Sequence, residues 1–341
     1  MKFSFTKVVA FILLFPSTSL PVQSHEQLGP PGVSSLSPPP ATPSIRKREF
    51  LPPPPDRNPS GIPGKAAETP SDFDRFHQHP WKRNLRICRS EDGNTFGISR
   101  LLVEAAGVPS AVRDTYGRIL VAFQWFPSDS PAAWDKIAVS ISNDDGNSFS
   151  SPVPIVIQNY PKNYIRPFDP TLGLVEDGSF RLYFSCMPRP RPGEPGGNRN
   201  ASICSAISRD GLHFVFERGF RVQINEHGVI DPAVIRLHGR WHLTAPRGRP
   251  EEGALHFVSA DGLDFERVSD IPSKNHFNWT GNLINYGKGV RFYGSSPRGI
   301  WWSFSEDGFL WSDSVPVGIQ GGDPTVVQTA AGEFLMIYVS R

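Results

Sequence analysis

The sequence predicts an all-β chain folded as a five-bladed β-propeller, with the last blade closed by N-terminal strands. Two interleaved motif series and the two chain ends carry this expectation. In the first series an Asp-Gly turn is followed, after two residues, by an aromatic. The copies are Ser90-Glu-Asp-Gly-Asn-Thr-Phe96, Asp144-Asp-Gly-Asn-Ser-Phe149, Ser208-Arg-Asp-Gly-Leu-His-Phe214, Ser259-Ala-Asp-Gly-Leu-Asp-Phe265 and Ser305-Glu-Asp-Gly-Phe-Leu-Trp311. They recur at roughly 45–65 residues, a period that marks propellers and solenoids. In the second series Asp169-Pro-Thr-Leu, Asp231-Pro-Ala-Val and Asp323-Pro-Thr-Val each open a short apolar run. A turn and an aromatic-rich run follow, so one repeat reads as a four-stranded antiparallel blade.

Two degenerate openings bring the second series to five. Val108-Pro-Ser-Ala-Val keeps the Pro but lacks the Asp, and Trp279-Thr-Gly-Asn-Leu-Ile has neither. The last repeat, from Asp323 to Arg341, has only two strands. The missing pair stands at the other end, in Asn84-Leu-Arg-Ile-Cys-Arg and Ser99-Arg-Leu-Leu-Val. Pairing these ends closes the ring and removes both free sheet edges. Two stacked sheets with coincidental hairpin repeats are the alternative.

The propeller is expected over residues 81–341. Residues 1–24 have Lys2 and Lys7, the apolar run Val8–Phe15 and then small polar residues, the layout of a secretory signal peptide. An uncleaved anchor is the competing reading, although the apolar run is short for a bilayer span. Residues 25–80 are dense in Pro, Ser and Gly without apolar periodicity, and read as an extended disordered linker. The expected location is secreted or periplasmic, with no membrane span after signal cleavage.

The net charge of +2 gives no ground for nucleic-acid binding. The three cysteines, Cys88, Cys186 and Cys204, are too few and scattered for a metal site, and no cofactor is expected. Cys186 and Cys204 fall in adjacent strands of one blade, either as a disulfide or as two buried thiols. Asn200-Ala-Ser and Asn278-Trp-Thr are glycosylation sequons for a eukaryotic host.

Strand order separates the two faces. If Asp-Pro begins each innermost strand at the top, every Asp-Gly turn lies at the bottom. There the Asp accepts turn N–H groups and Gly supplies the positive φ, a structural role to which calcium binding is the alternative. At the top, five-fold geometry brings Asp169, Asp231 and Asp323 together, and close carboxylates raise one another's pKa. Such carboxylates can serve glycoside hydrolysis, or the Asp residues can simply cap the start of each strand. The loops above them are rich in Arg and aromatics. Arg166, Arg247, Arg249 and Arg298 are candidates to hold an anionic group, and Trp125 and Trp279 to stack on a sugar. The expected partner is a glycan, met by a monomer.

The opening Asp-Pro, the Gly turn, the aromatic strand and the Ser-x-Asp-Gly-x-x-Phe/Trp turn resemble the five-bladed glycosidases of the arabinanase, levansucrase and invertase type, particularly glycoside hydrolase family 43. Asp169-Pro-Thr-Leu-Gly-Leu-Val-Glu-Asp-Gly-Ser-Phe-Arg-Leu-Tyr-Phe-Ser185 carries the resemblance best. It implies inverting hydrolysis with an Asp base, a second Asp that tunes pKa, and a Glu acid. The chain departs from that pattern: Val108 stands where the base is expected, and Asp231 where the acid is. Glu226, Glu251 and Glu252 are the candidate acids near the rim. The Asp-Gly turns are also similar to the Asp-boxes of sialidases, which makes a sialidase-like exo-glycosidase a second alternative. A non-catalytic propeller that binds glycan or protein is the first.

Overall fold

The computed structural model describes residues 80–189, 201–225, 227–248, 252–273 and 277–340. The leader expected over 1–24 and the linker expected up to residue 80 lie outside them, apart from Pro80. A short 3-10 turn, Pro80–Lys82, leads into β1 (Leu85–Ser90) and β2 (Arg100–Val103). The first blade is β3 (Ala106–Arg113), β4 (Ile119–Trp125), β5 (Lys136–Ser142) and β6 (Val153–Pro154). After β7 (Val156–Gln158), the second blade is β8 (Phe168–Leu174), β9 (Phe180–Cys186), β10 (Ser202–Ser208) and β11 (His213–Val222). The third is β12 (Ala233–Leu237), β13 (Arg240–Pro246), β14 (Ala254–Ser259) and β15 (Glu266–Arg267). The fourth is β16 (Asn278–Tyr286), β17 (Gly289–Ser296), β18 (Gly299–Ser305) and β19 (Val315–Pro316). The last blade takes β20 (Gly321–Gln328) and β21 (Phe334–Ser340) from the C-terminal end.

The fifth sheet has the order β2-β1-β21-β20, so the ring closes as the sequence predicts, with β1 antiparallel to β21 from Leu85↔Val339 to Ser90↔Phe334. The second blade differs from the expectation of four strands. β7 runs parallel to β11 and adds a fifth strand at the outer edge.

The alternation of side chains along each strand builds the core. In β4, Ile119, Val121 and Phe123 pack against Leu85, Ile87, Leu335 and Ile337 of the last blade. The intervening Leu120 and Ala122 face Leu182 and Phe184 of the second blade. A strand sandwiched between two blades therefore needs apolar residues at every position, which explains the unbroken run Ile119-Leu-Val-Ala-Phe. The same logic places Tyr183 against Trp241, Ala233 against Phe292, and Tyr293 against Met336. The aromatics that end the turn motifs, Phe96, Phe149, Phe214, Phe265 and Trp311, all join these five junctions.

The Asp-Gly turns are closed by their own side chains. The Ser90 hydroxyl donates to Asp92 Oδ1 at 2.9 Å and accepts the Gly93 N–H, while the N–H groups of Asn94 and Thr95 donate to Asp92 Oδ1. Ser208–Asp210, Ser259–Asp261 and Ser305–Asp307 repeat the pattern. Donated N–H groups favour the charged carboxylate and hold Asp92, Asp210, Asp261 and Asp307 below the ordinary carboxylate range. Each turn also docks on the second strand of the preceding blade. Tyr183 donates its hydroxyl proton to the Gly262 carbonyl at 2.8 Å, and Tyr293 does the same to Gly93 at 2.7 Å. The turns are thus clasps between blades.

This docking leads to a mutational contrast. Gly211 (φ 80°) lies against Leu120 of the first blade, whereas Gly239 (φ 79°) has open space where a Cβ would go. Gly211→Val is expected to lose the strain cost of about 1–3 kcal/mol and, in addition, to push the turn off Leu120. Gly239→Val bears the strain alone. Thermal melts in which the two variants fall equally would show that the turn's docking adds nothing.

Cys186 and Cys204 form a disulfide across β9 and β10, with Cα atoms 5.9 Å apart, while Cys88 is a buried free thiol. Burial disfavours the thiolate and pushes Cys88 up to about 12.

Candidate active site at the blade openings

The innermost strands β3, β8, β12, β16 and β20 line a central channel of about 360 Å³ whose walls are Val112, Leu172, Val234, Leu283 and Val326 with their neighbours. At one end of it the openings share a backbone device. Val108, Asp169, Asp231 and Asp323 have φ of 49°, 51°, 54° and 44°, and each precedes a proline. In β3, β8 and β20 the ladder shifts register at this point, between Gly107 and Ser110, Phe168 and Thr171, and Gly322 and Thr325. Proline has no N–H to give the ladder, so the extra residue bulges and re-aims its side chain. Asp tolerates the left-handed region because its short polar chain bonds locally. Val does not, and its presence at position 108 is a strained exception that no contact among the described residues explains.

Two serines hold the openings in place. The Ser185 hydroxyl donates to Asp169 Oδ2 at 2.9 Å and accepts the Asp231 N–H at 3.2 Å, tying the second blade to the third. The Ser295 hydroxyl accepts the Asp323 N–H at 2.7 Å, tying the fourth to the fifth. One layer below, a polar floor crosses the channel. Thr171 donates its hydroxyl proton to Asn282 Oδ1 at 3.0 Å, and Asn282 Nδ2 donates to the Pro109 carbonyl. Ser110 Oγ lies 3.3 Å from Thr171 Oγ1, and Thr325 Oγ1 accepts the Ala111 N–H. Beyond the floor the channel lining mixes Val112, Leu172 and Leu283 with Arg113, Arg236 and Gln328.

The structure brings Asp169, Asp231 and Asp323 together, as the repeat geometry predicts. Burial raises all three. Asp169 is pushed up to about 6, with Ser185 opposing and the charge of Asp323 adding to the rise. Asp231 is held well above the carboxylate range by burial and by the charges of Asp169 and Asp323. Asp323 is raised by burial and partly relieved by Arg83. Asp169 and Asp231 are linked through the Ser185 hydroxyl, and the titration of each depends on the other, so the two behave as one unit. An inverting acid and base stand about 6.5–9.5 Å apart with water between them. Asp323, on the last blade, is the third carboxyl at this mouth, and its charge adds to the rise of both.

The remaining candidates divide. Trp279 is 4% exposed, with Phe292, Trp301 and Trp311 packed around it, so it is a core residue with no face left for a sugar. Trp125 is half-buried against the junction of the last and first blades. Arg247 pairs with Asp270 at 3.0 Å and Arg166 with Asp135, so neither stands as an unpaired cation awaiting an anion. Arg298 is exposed on the turn between β17 and β18, and Glu252 is exposed before β14. Glu226, Glu251 and Arg249 lie outside the described residues. Sequence reasoning missed Ser185, Ser295 and Asp135. The two serines follow aromatic runs, and only the pairing of strand ends with openings would have marked them.

No protein-family model and no curated protein matches the chain. Among solved structures, a thermostable family-43 glycoside hydrolase is 13% identical over 69% of this chain and 88% of its own, with a TM-score of 0.49. A GH43_1 enzyme from Xanthomonas citri is 14% identical over 69% and 87%, with a TM-score of 0.48. A protein of unknown function from Dyadobacter fermentans is 16% identical over 75% and 79%, with a TM-score of 0.49.

Proposed function

We propose that this propeller hydrolyses a glycosidic bond at its acidic mouth, and that it works as a secreted or periplasmic protein. The observation that carries the reading is the unequal trio of buried carboxyls: Asp169 and Asp231 are raised by burial and by the charge of Asp323, whereas Asp323 is raised by burial and partly relieved by Arg83. Burial and the charges of Asp169 and Asp323 raise Asp231 well above the carboxylate range, which suits it to protonate the leaving oxygen of a sugar. Asp323, on the opening beside the strained Val108, is the acceptor for the proton of the attacking water. As water adds to the anomeric carbon, the C–O bond to the leaving sugar breaks, Asp231 supplies that oxygen's proton, and Asp323 receives the one released.

Val108 favours a second reading, a propeller that binds glycan without cleaving it, because only three of the five openings carry a carboxyl. The two readings separate in one experiment. The full chain is incubated with a panel of aryl glycosides and plant and bacterial polysaccharides, and released reducing ends are measured. Turnover on at least one substrate is expected. Saturable binding of a panel member with no release would establish the second reading in place of the first.

A further inference from the structure

Beside the acidic mouth, between the first and second blades, lies a cavity of about 450 Å³ lined by Gln124, Asp135, Ile165, Arg166 and Phe168. Phe168 is the residue before Asp169, so this cavity borders the opening of the second blade. Its polar groups are fixed by one another. Gln124 Nε2 donates to Asp135 Oδ1 at 2.5 Å, and the Arg166 guanidinium pairs with Asp135 Oδ2. Arg166 also donates to the Trp134 carbonyl at 3.1 Å. Asp135 sits at φ 56°, a left-handed backbone held by its N–H bond to the Trp125 carbonyl. A strained residue with two side-chain partners is a positioned one.

The charge of this group decides what it suits. Arg166 is matched by Asp135, so the pocket carries no net charge, yet it presents both donors and acceptors around an aromatic wall. The Arg166 side chain remains 53% exposed with donors beyond those two bonds, and the Asp135 side chain is 27% exposed. An anionic sugar entering here would meet the carboxylate of Asp135, and repulsion would offset what Arg166 offers. The hydroxyls of a neutral sugar each give and take one hydrogen bond, which is what a matched Arg–Asp–Gln set provides. The ring's apolar face can lie against Phe168.

We infer that this pocket is the specificity subsite of the glycan site and selects a neutral sugar unit, not an anionic one. The inference rests on the glycan-directed reading of the mouth and gives it a substrate class. It replaces the expectation, drawn from counting rim arginines, of an anionic group.

The test is a titration of the full chain, followed by ligand-observed NMR, with methyl glycosides of neutral pentoses and hexoses and with the matching methyl uronates. At least one neutral glycoside is expected to bind, and at least tenfold more tightly than its uronate. Arg166→Ala and Gln124→Ala are each expected to weaken that binding at least tenfold. Both variants are to be checked by melting for an unchanged fold. Uronates that bind as well as or better than neutral sugars, binding untouched by both substitutions, or no saturable binding of any glycoside would each overturn the inference. The proposed hydrolysis fails differently. Neutral sugars bound through Arg166 without any cleavage would refute catalysis and leave the subsite standing. Cleavage with a KM indifferent to both substitutions would refute the subsite alone.

Discussion

Removal of residues up to Pro80 is expected to leave the melting temperature unchanged, whereas removal through Val103 is expected to unfold the protein. The shorter deletion takes away no blade strand. The longer one removes β1 and β2, and β1 is the outer partner of β21 over six residue pairs. Leu85 and Ile87 are 0% and 1% exposed, and together with Cys88 they serve two blade junctions at once. Emptying a buried Leu or Ile position costs about 2–5 kcal/mol. Two such losses, with an opened sheet edge along Phe334–Val339, approach or exceed the stability of about 5–15 kcal/mol that a folded domain commands. Circular dichroism melts and size-exclusion profiles of the two truncations decide the matter. Equal melting of both would mean that ring closure contributes nothing.

The fold was legible because its signals are local and repeated. The Asp-Gly turns and the Asp-Pro openings each fall within a few residues and recur along the chain, and the half-blades at the two chain ends, though far apart in sequence, pair as expected. What stayed hidden depends on partners distant in sequence. Arg166 and Arg247 look like anion binders until Asp135 and Asp270 are seen to match them. Trp279 has the chemistry of a sugar platform, but its place in the junction of the third and fourth blades is set by Trp301 and Trp311. The polar floor draws Ser110, Thr171, Asn282 and Thr325 from four blades, and nothing in any single repeat marks them as a set. Val108 misled in the other direction, since a β-branched residue gives no hint that its backbone adopts the left-handed turn that Asp adopts elsewhere.

Asp231→Asn and Asp169→Asn are each expected to lower glycoside turnover at least a hundredfold, the scale of lost general acid–base help, without lowering the melting temperature. The direction of the stability effect follows from linkage. An Asp whose folded pKa is raised binds more protons folded than unfolded, so its contribution is fully present below the unfolded pKa and is lost as pH rises through the folded one. Near neutrality the charged acids at the mouth therefore oppose folding, and an amide of the same shape removes that opposition. The variants should melt at the same temperature as the parent at pH 7 or higher than it. The two substitutions should differ in pH dependence. Asp231→Asn removes the proposed proton donor outright, and its residual rate should lose the basic limb of the profile. Asp169→Asn leaves the donor but removes a charge that holds its proton, so Asp231 should let go earlier and the basic limb should move to lower pH. Lost turnover accompanied by lost folding would make these residues structural caps of the blade openings. A parent activity that neither substitution touches would place the chemistry elsewhere on the ring.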